Sequence, residues 1–235
     1  MAFDAQVIHW PTIAAFVDYL KGVNRPAWCT GLTNHNTYIP NEYQWRGMDS
    51  MRSMQSTYMS KGWPSGPNLF LAAQSPNPSD TGIWQMTPIT HPGTHAGACN
   101  KDHLGIENVG DFNARPPTQA QYTLLLAVNR AILERWGIPP ASVNVHNECM
   151  TGRTCPGKYL TGTQIRNDLM QPWPAQRFRA GAYGAIARQD YRGGGKQAAY
   201  FHPGEVIEVD EFHQNEYRHA VSGIGFIADG DLEAL

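Results

Sequence analysis

The apolar positions of this chain fall in short blocks whose spacing changes from one block to the next. Between Pro11 and Val23, Ile13, Phe16, Val17 and Leu20 recur at helical spacing, and Pro11 stands where a first-turn proline is tolerated. Trp28 to Leu32 predicts a short strand that runs into T-N-H-N-T-Y-I-P and leaves His35 at its end. Gln44 to Lys61 predicts a second helix, with Met48, Met51, Met54, Gln55 and Tyr58 along one side and Gly62 as its stop. The methionines of that stripe suit a core position. Leu69–Ala73 and Gly82–Met86 are compact apolar strand candidates joined by a Pro/Asn/Ser-rich loop.

A turn-rich stretch, H-P-G-T-H-A-G-A-C-N-K-D-H, comes next, and His91 and His103 within it are expected at the surface or in a loop. His103 to Val109 has the texture of a buried strand, with Glu107 set among apolar residues. Thr118 to Trp136 gives the clearest helical pattern: Thr118 can cap, Gln121 stands three residues later, and Leu124, Leu125, Val128, Ile132 and Leu133 form the apolar stripe. Ser142 to Val145 is a short strand that delivers His146, and Pro156 and Gly157 are expected to open a last helix reaching Met170.

After Q-P-W-P-A-Q at 171–176, a linker by composition, the texture changes. Ala198–Phe201, Glu205–Val209, Glu216–Ala220 and Gly223–Ile227 are short strand candidates separated by Gly, Pro and Asn turns. The expected organisation is α/β (α+β): a central mixed β-sheet flanked by helices over residues 1–172, then a small C-terminal all-β barrel-like domain over 173–235.

Composition narrows the class. With 41% hydrophobic and 16% charged residues the chain is of the folded globular kind. A formal net charge of -2 leaves no basic excess to recruit nucleic acid. No run approaches the roughly 18 apolar residues of a membrane span, so no membrane insertion is expected. The start, M-A-F-D-A-Q-V-I-H-W, lacks a basic region followed by an apolar run, which predicts synthesis in the cytoplasm without a signal peptide. The four cysteines form no small-domain disulfide framework; Cys29, Cys99 and Cys149 are expected to behave as small buried hydrophobes.

The richest chemistry lies in V-N-V-H-N-E-C-M-T-G-R-T-C-P-G-K-Y, residues 143–159. Imidazole and thiolate are the preferred ligands of zinc, and a catalytic zinc needs three protein ligands and one open position. His146 with Cys149 or Cys155 supplies two of them, and His35 is the best upstream candidate for the third. Cys149 and Cys155 do not form a C-x-x-C redox pair.

Three blocks in order carry a family resemblance. They are H-N-T at His35–Thr37; G-T-H-A-G-A-C-N-K-D-H-L-G-I-E from Gly93 to Glu107; and His146 followed, with eight residues between, by Cys155-Pro156-Gly157. From about Thr33 to Tyr159 the chain resembles the zinc-dependent type-2 N-acetylmuramoyl-L-alanine amidases, the group of phage lysozyme-type amidases and peptidoglycan recognition proteins. The resemblance implies one zinc ion per chain, held by His35, His146 and Cys155. It also implies peptidoglycan, glycan and stem peptide together, as partner, and cleavage of the amide between N-acetylmuramic acid and L-alanine by a zinc-activated water. Cys155 is preferred to Cys149 on spacing and on the helix start expected at Cys-Pro-Gly.

Within the same resemblance Glu107 takes the part of general base and proton shuttle, since a carboxylate among apolar residues is costly unless used. Arg153 stands where relatives often carry lysine and would stabilise an oxyanion electrostatically. His95 matches the groove histidine of the middle block, and Trp63 and Asn68 fall in a W-P-S-G-P-N segment whose relatives carry tyrosine at the position of Asn68. These three are the substrate-binding candidates. The missing signal and the β-rich tail, loosely similar to small wall-binding barrels of the Src-homology type, suggest an endolysin acting on the wall, in the periplasm, after release. The alternatives are a non-catalytic recognition module and a cytosolic muropeptide-recycling amidase.

Overall fold

A computed structural model describes residues 7–171 in full and, beyond them, the strands between residues 176 and 234. The stretch 1–6 and residues 172–175, most of the expected linker, lie outside the described residues. The chain divides into two compact units, Met1–Met170 and Gln171–Leu235.

The first unit is built on a six-stranded mixed sheet in the order β1-β4-β3-β5-β2-β6. The strands are β1 (Ile8–Trp10), β2 (Gly31–Asn36), β3 (Leu69–Ala72), β4 (Gly82–Gln85), β5 (His103–Asn108) and β6 (Val143–Val145). β2 runs parallel to both β5 and β6, β3 runs parallel to β5, and β4, antiparallel to its neighbours β1 and β3, is the one strand of this sheet that runs against the others. The β2 strand starts three residues later than its apolar pattern suggests. Its polar half, T-N-H-N, pairs throughout with β5, and Thr33 and Asn34 pair with β6 as well; that pairing overrides local composition.

Helices cover both faces. On one side α1 (Ile13–Lys21), α3 (Gln119–Trp136) and α5 (Gly162–Met170) bury Phe16, Leu20, Leu125, Val128, Ile132 and Ile165 against Leu32, Leu104 and Ile106. α3 begins with the expected capping box at Thr118 and Gln121 and ends at Gly137, whose φ of 62° suits glycine. On the other side α2 (Gly47–Ser60) presents Met51 and Met54 to Phe70, Trp84 and Met86. α1 begins one residue after its cap Thr12, so Pro11 lies just outside the helix.

The last helix departs from expectation. Pro156 and Gly157 do not open it: Gly157 has φ 113° and lies against the Phe112 backbone, where a Cβ would come within 2.4 Å of the Phe112 carbonyl carbon. α5 starts at Gly162 behind Thr161, whose hydroxyl accepts from Gln164 N at 3.2 Å.

The second unit contains seven described strands, β7 (Gln176–Ala180), β8 (Ala185–Arg188), β9 (Gln197–Phe201), β10 (Val206–Gln214), β11 (Tyr217–Ala220), β12 (Phe226–Ala228) and β13 (Leu232–Ala234). They form one antiparallel sheet in the order β13-β7-β10-β11-β12-β8-β9. The four strand candidates of the tail each overlap a described strand, though Glu205, Glu216 and residues 223–225 of them lie outside the described residues, while β7, β8 and β13 carry too little alternation to stand out. No helix among the described residues is long and apolar enough to cross a membrane.

Candidate metal centre

Strand alternation decides which side chains reach the site. Thr33 and His35 share one face of β2, and the parallel register sets Gly31 opposite His103, Thr33 opposite Gly105 and His35 opposite Glu107. Leu32 and Asn34 lie on the α3 side. There Asn34 and Asn129 exchange two amide hydrogen bonds, of 2.8 and 3.1 Å, and Asn108 donates to the His35 carbonyl at 2.9 Å. This buried amide group fixes the ligand strand from behind, and hydrophobic patterning gives no sign of it.

His146 arrives from β6 as the first residue of the one-turn helix α4 (His146–Cys149). Glu148 holds that turn. It accepts from Val145 N at 3.0 Å and forms a two-bond pair with Arg166 of α5, 2.9 Å each. The next loop brings Cys155 back, with Asn147 N donating to the Cys155 carbonyl at 3.0 Å.

The three expected ligands converge. His35 Nδ1 lies 3.0 Å from His146 Nδ1 and 3.6 Å from Cys155 Sγ. A tetrahedral zinc shell with ordinary bond lengths has N–N edges of about 3.3 Å and N–S edges of about 3.6 Å. The donor set and its spacing therefore fit that ion, and His35, His146 and Cys155 form a group able to hold a metal.

Hydrogen bonding fixes the protonation pattern that this requires. The His103 carbonyl can only accept, so His95 Nε2–H donates to it at 3.0 Å. Neutral His95 then accepts at Nδ1 from His35 Nε2–H, also at 3.0 Å. The lone pair of His35 is left on Nδ1, aimed at His146 and Cys155. Burial and the neighbouring histidines hold the His35 pKa well below its usual value, and burial brings His95 down to about 4, so both rings are neutral. Burial, then Arg153, lowers the His146 pKa as well. Burial, with Glu107 adding to it, pushes the Cys155 thiol up. The Asn36 backbone N–H donates to its sulfur at 3.5 Å.

Glu107 lies beside the triad, with Oε1 4.0 Å from His35 Nδ1. It is buried, and burial raises its pKa to about 8. Its Oε2 and the side-chain Nδ2 of Asn36 are buried without a protein partner. Unsatisfied polar atoms of this kind mark places where a ligand, ion or water completes the structure. Both residues line a cleft of about 640 Å³ that also exposes the three ligand side chains and Trp63.

The other candidates separate. Trp63 lines the cleft, stacked on Tyr58 at 5.3 Å, and His95 lines it behind His35. Arg153 is exposed and does not line the cleft; its Nε lies 3.5 Å from Met150 Sδ and its charge is within reach of His146 and Cys155. Asn68 does not line the cleft. It is fully buried, its Nδ2 donates to the carbonyls of Pro88 and His91, and its Oδ1 accepts from Gly105 N. The amide joins the 86–91 segment to β5 and leaves no atom for a ligand. His103 opens β5, half-buried and bonded to Thr33, and is no loop residue; His91 is exposed, as expected.

Two features of the site escaped sequence reasoning. Tyr58 points from α2 into the cleft close enough to Glu107 and Cys155 to feel both, and burial pushes its pKa up. Its place in the methionine stripe disguised it as core. Cys99 and Cys149, expected to be separate small hydrophobes, form a disulfide with Cα atoms 5.7 Å apart. The bridge joins the 3₁₀ turn Gly97–Lys101, just after His95, to the end of α4, just after His146.

The α/β sheet thus gathers a His/His/Cys donor set able to hold a metal and a buried carboxyl in one cleft. The chain belongs to the N-acetylmuramoyl-L-alanine amidase family, whose model matches residues 24–158, more than half of its length. No curated protein matches it in sequence. Solved structures similar to it include the amidase LysC from Clostridium intestinale URNW (21% identity, 60% of this chain and 85% of that one, TM-score 0.49). Others are wild-type Drosophila PGRP-LB (22%, 67% and 83%, 0.47) and the Ph2119 endolysin of a Thermus scotoductus MAT2119 bacteriophage (21%, 63% and 90%, 0.47).

Proposed function

We propose that the chain is a zinc-dependent N-acetylmuramoyl-L-alanine amidase of the endolysin kind, cutting the muramoyl–alanine amide of peptidoglycan. The observation that carries this reading is the convergence of His35 Nδ1, His146 Nδ1 and Cys155 Sγ beside the buried carboxyl of Glu107. A zinc ion held there supplies a water of lowered pKa and polarises the scissile carbonyl.

The chain's own groups do the rest. Glu107 takes a proton at Oε2 and returns it to the departing amide nitrogen; with a cation held by the neighbouring ligands its raised pKa would fall toward a working value. His95 keeps His35 in the ligand tautomer. Trp63 and Tyr58 offer a stacked aromatic wall for the apolar face of sugar or peptide, and the exposed Arg153 adds positive charge. The C-terminal unit, on the same reading, is a small barrel-like β-domain that holds the enzyme to the wall, with one zinc per chain in the N-terminal unit.

Incubating purified sacculi with the protein and analysing the products by mass spectrometry tests this. Free stem peptides with an L-alanine amino terminus are expected, and their release stops on zinc removal and in Cys155→Ser. Products cut at a glycosidic or peptide bond, or activity that survives complete zinc removal, defeat the proposal. Absence of any product together with retained sacculus binding would favour a recognition module, and preference for soluble muropeptides would favour a recycling enzyme.

A further inference from the structure

A second donor cluster stands on the same face of the sheet as the first. Cys99, His103 and Cys149 have ligand atoms within 4.8 Å of one another, and all three residues are half-buried and within reach of solvent. Thr33 joins the two clusters. It precedes His35 by two residues on β2, a spacing of about 6.6 Å. Its hydroxyl lies 3.0 Å from His103 Nδ1 and 3.5 Å from Cys149 Sγ.

Three details suit a cation better than a bridge alone. A disulfide has no use for the imidazole beside it, yet the ring is seated against Gly31, where a Cβ would come 2.4 Å from the Ser142 carbonyl oxygen and 2.7 Å from His103 Nε2. The His103 ring is also hydrogen-bonded to the Leu32 backbone, the kind of outer contact that orients metal-binding histidines. One polar donor, Asn144 Nδ2 at 4.0 Å, is directed at the Cys149 sulfur, and the Thr33 hydroxyl lies beside it at 3.5 Å. Such a donor stabilises a thiolate far more than a disulfide sulfur, which is a weak acceptor.

We infer that, once the bridge is opened, Cys99, His103 and Cys149 form a second cation site that takes a thiophilic divalent ion, and that bridge formation closes it. Opening requires a dithiol or phosphine reductant. Two electrons and two protons enter, the S–S bond breaks, each sulfur becomes a thiol, and the reductant leaves as its disulfide or, with water, as the phosphine oxide. The bound ion then displaces the thiol protons. One soft nitrogen and two soft sulfurs select zinc-like ions over magnesium or calcium.

The test uses the full chain carrying Cys155→Ser, which lacks the thiolate of the first centre. Metal-free protein is titrated anaerobically with cobalt(II), with and without prior phosphine reduction, and thiolate-to-cobalt absorption is followed. The reduced chain is expected to develop this absorption at about one equivalent. The bridged chain should not, and neither should the reduced chain with Cys99→Ser and Cys149→Ser added; His103→Ala should weaken cobalt binding at least tenfold. Circular dichroism of the reduced chain accompanies the titration. No thiolate absorption, absorption that survives loss of both cysteines, or unfolding on reduction would each overturn the inference.

Discussion

His95 Nδ1 lies 3.0 Å from His35 Nε2, and this contact decides which face of the His35 ring is left for a cation. The relay begins at a backbone carbonyl, that of His103, so its direction is set by the sheet and not by pH. Removing His95 frees the His35 ring to change tautomer and leaves its Nε2 without its partner. His95→Ala is expected to lower zinc affinity about 10- to 100-fold, the usual cost of losing such a partner. Competition against a chromophoric chelator measures it, and an unchanged dissociation constant would show that His95 has no such role.

Glu107 sits where a neutral carboxyl is easier to bury than a charged one. Its pKa rises from 4.5 to about 8 on folding of the metal-free chain. Between those values the folded state holds a proton that the unfolded state has released, so stability falls as pH rises through the window. Glu107→Gln has no proton to lose. The metal-free variant should match the parent below pH 4.5 and exceed it by a few kcal/mol near pH 8, at about 1.4 kcal/mol per pKa unit. Urea unfolding at pH 4.5, 6 and 8 reads this directly. The zinc-loaded variant should lose about 10²- to 10⁴-fold in turnover. A stability gap that is flat across pH would mean that Glu107 is not buried as an acid.

Those two residues also show what patterning can reveal. The spacing of His35, His146 and Cys155 was legible because ligand chemistry permits few residue types, and Glu107 stood out as a carboxylate within an apolar run. The sheet and its helices followed from apolar periodicity, except where polar residues occupy the interior. Residues 33–36 look like loop and form strand, since the backbone pairs with β5 and the side chains of Thr33, Asn34 and His35 find partners in His103, Asn129 and His95. Asn68 and Tyr58 exchanged apparent roles: the polar residue is an internal bracket and the helix-stripe residue faces the cleft. Alternation and composition describe an element's own faces, not which neighbour supplies a partner. For the same reason the pairing of Cys99 with Cys149, 50 residues apart, had no local signal.

Asn68→Ala separates structural from substrate-binding roles. Deleting the amide leaves the carbonyls of Pro88 and His91 and the N–H of Gly105 without their bonds. A loss of roughly 3–5 kcal/mol in unfolding free energy is expected, since each buried unsatisfied group costs about 1–3 kcal/mol. KM for muropeptide should stay at the parent value under conditions where the variant is folded. A raised KM with unchanged stability would restore Asn68 to the binding surface.

Tyr38 presents the reverse case. It is 56% exposed, lines the cleft, and holds φ at 59°, a region that favours glycine. Tyr38→Gly relieves backbone strain worth about 1 kcal/mol and removes an exposed ring from the cleft wall. Thermal stability should hold or rise while KM increases. A variant with lower stability and unchanged KM would indicate that the ring serves packing.

The Cys99–Cys149 bridge ties together the two loops that follow His95 and His146, so its loss bears on the site as well as on the fold. Closing a loop of 50 residues removes unfolded-state entropy worth about 4 kcal/mol in the chain-entropy picture. The double variant Cys99→Ser, Cys149→Ser should therefore unfold at markedly lower urea, by up to about that amount. Because β2 and the Asn34–Asn129 pair hold His35 independently, zinc should still bind. Looser positioning of His95 and His146 should appear as weaker zinc affinity and faster zinc release. Urea unfolding combined with chelator-driven zinc release distinguishes the two effects. If stability drops and zinc release is unchanged, the bridge serves the fold alone; if neither changes, the two loops are held by other contacts.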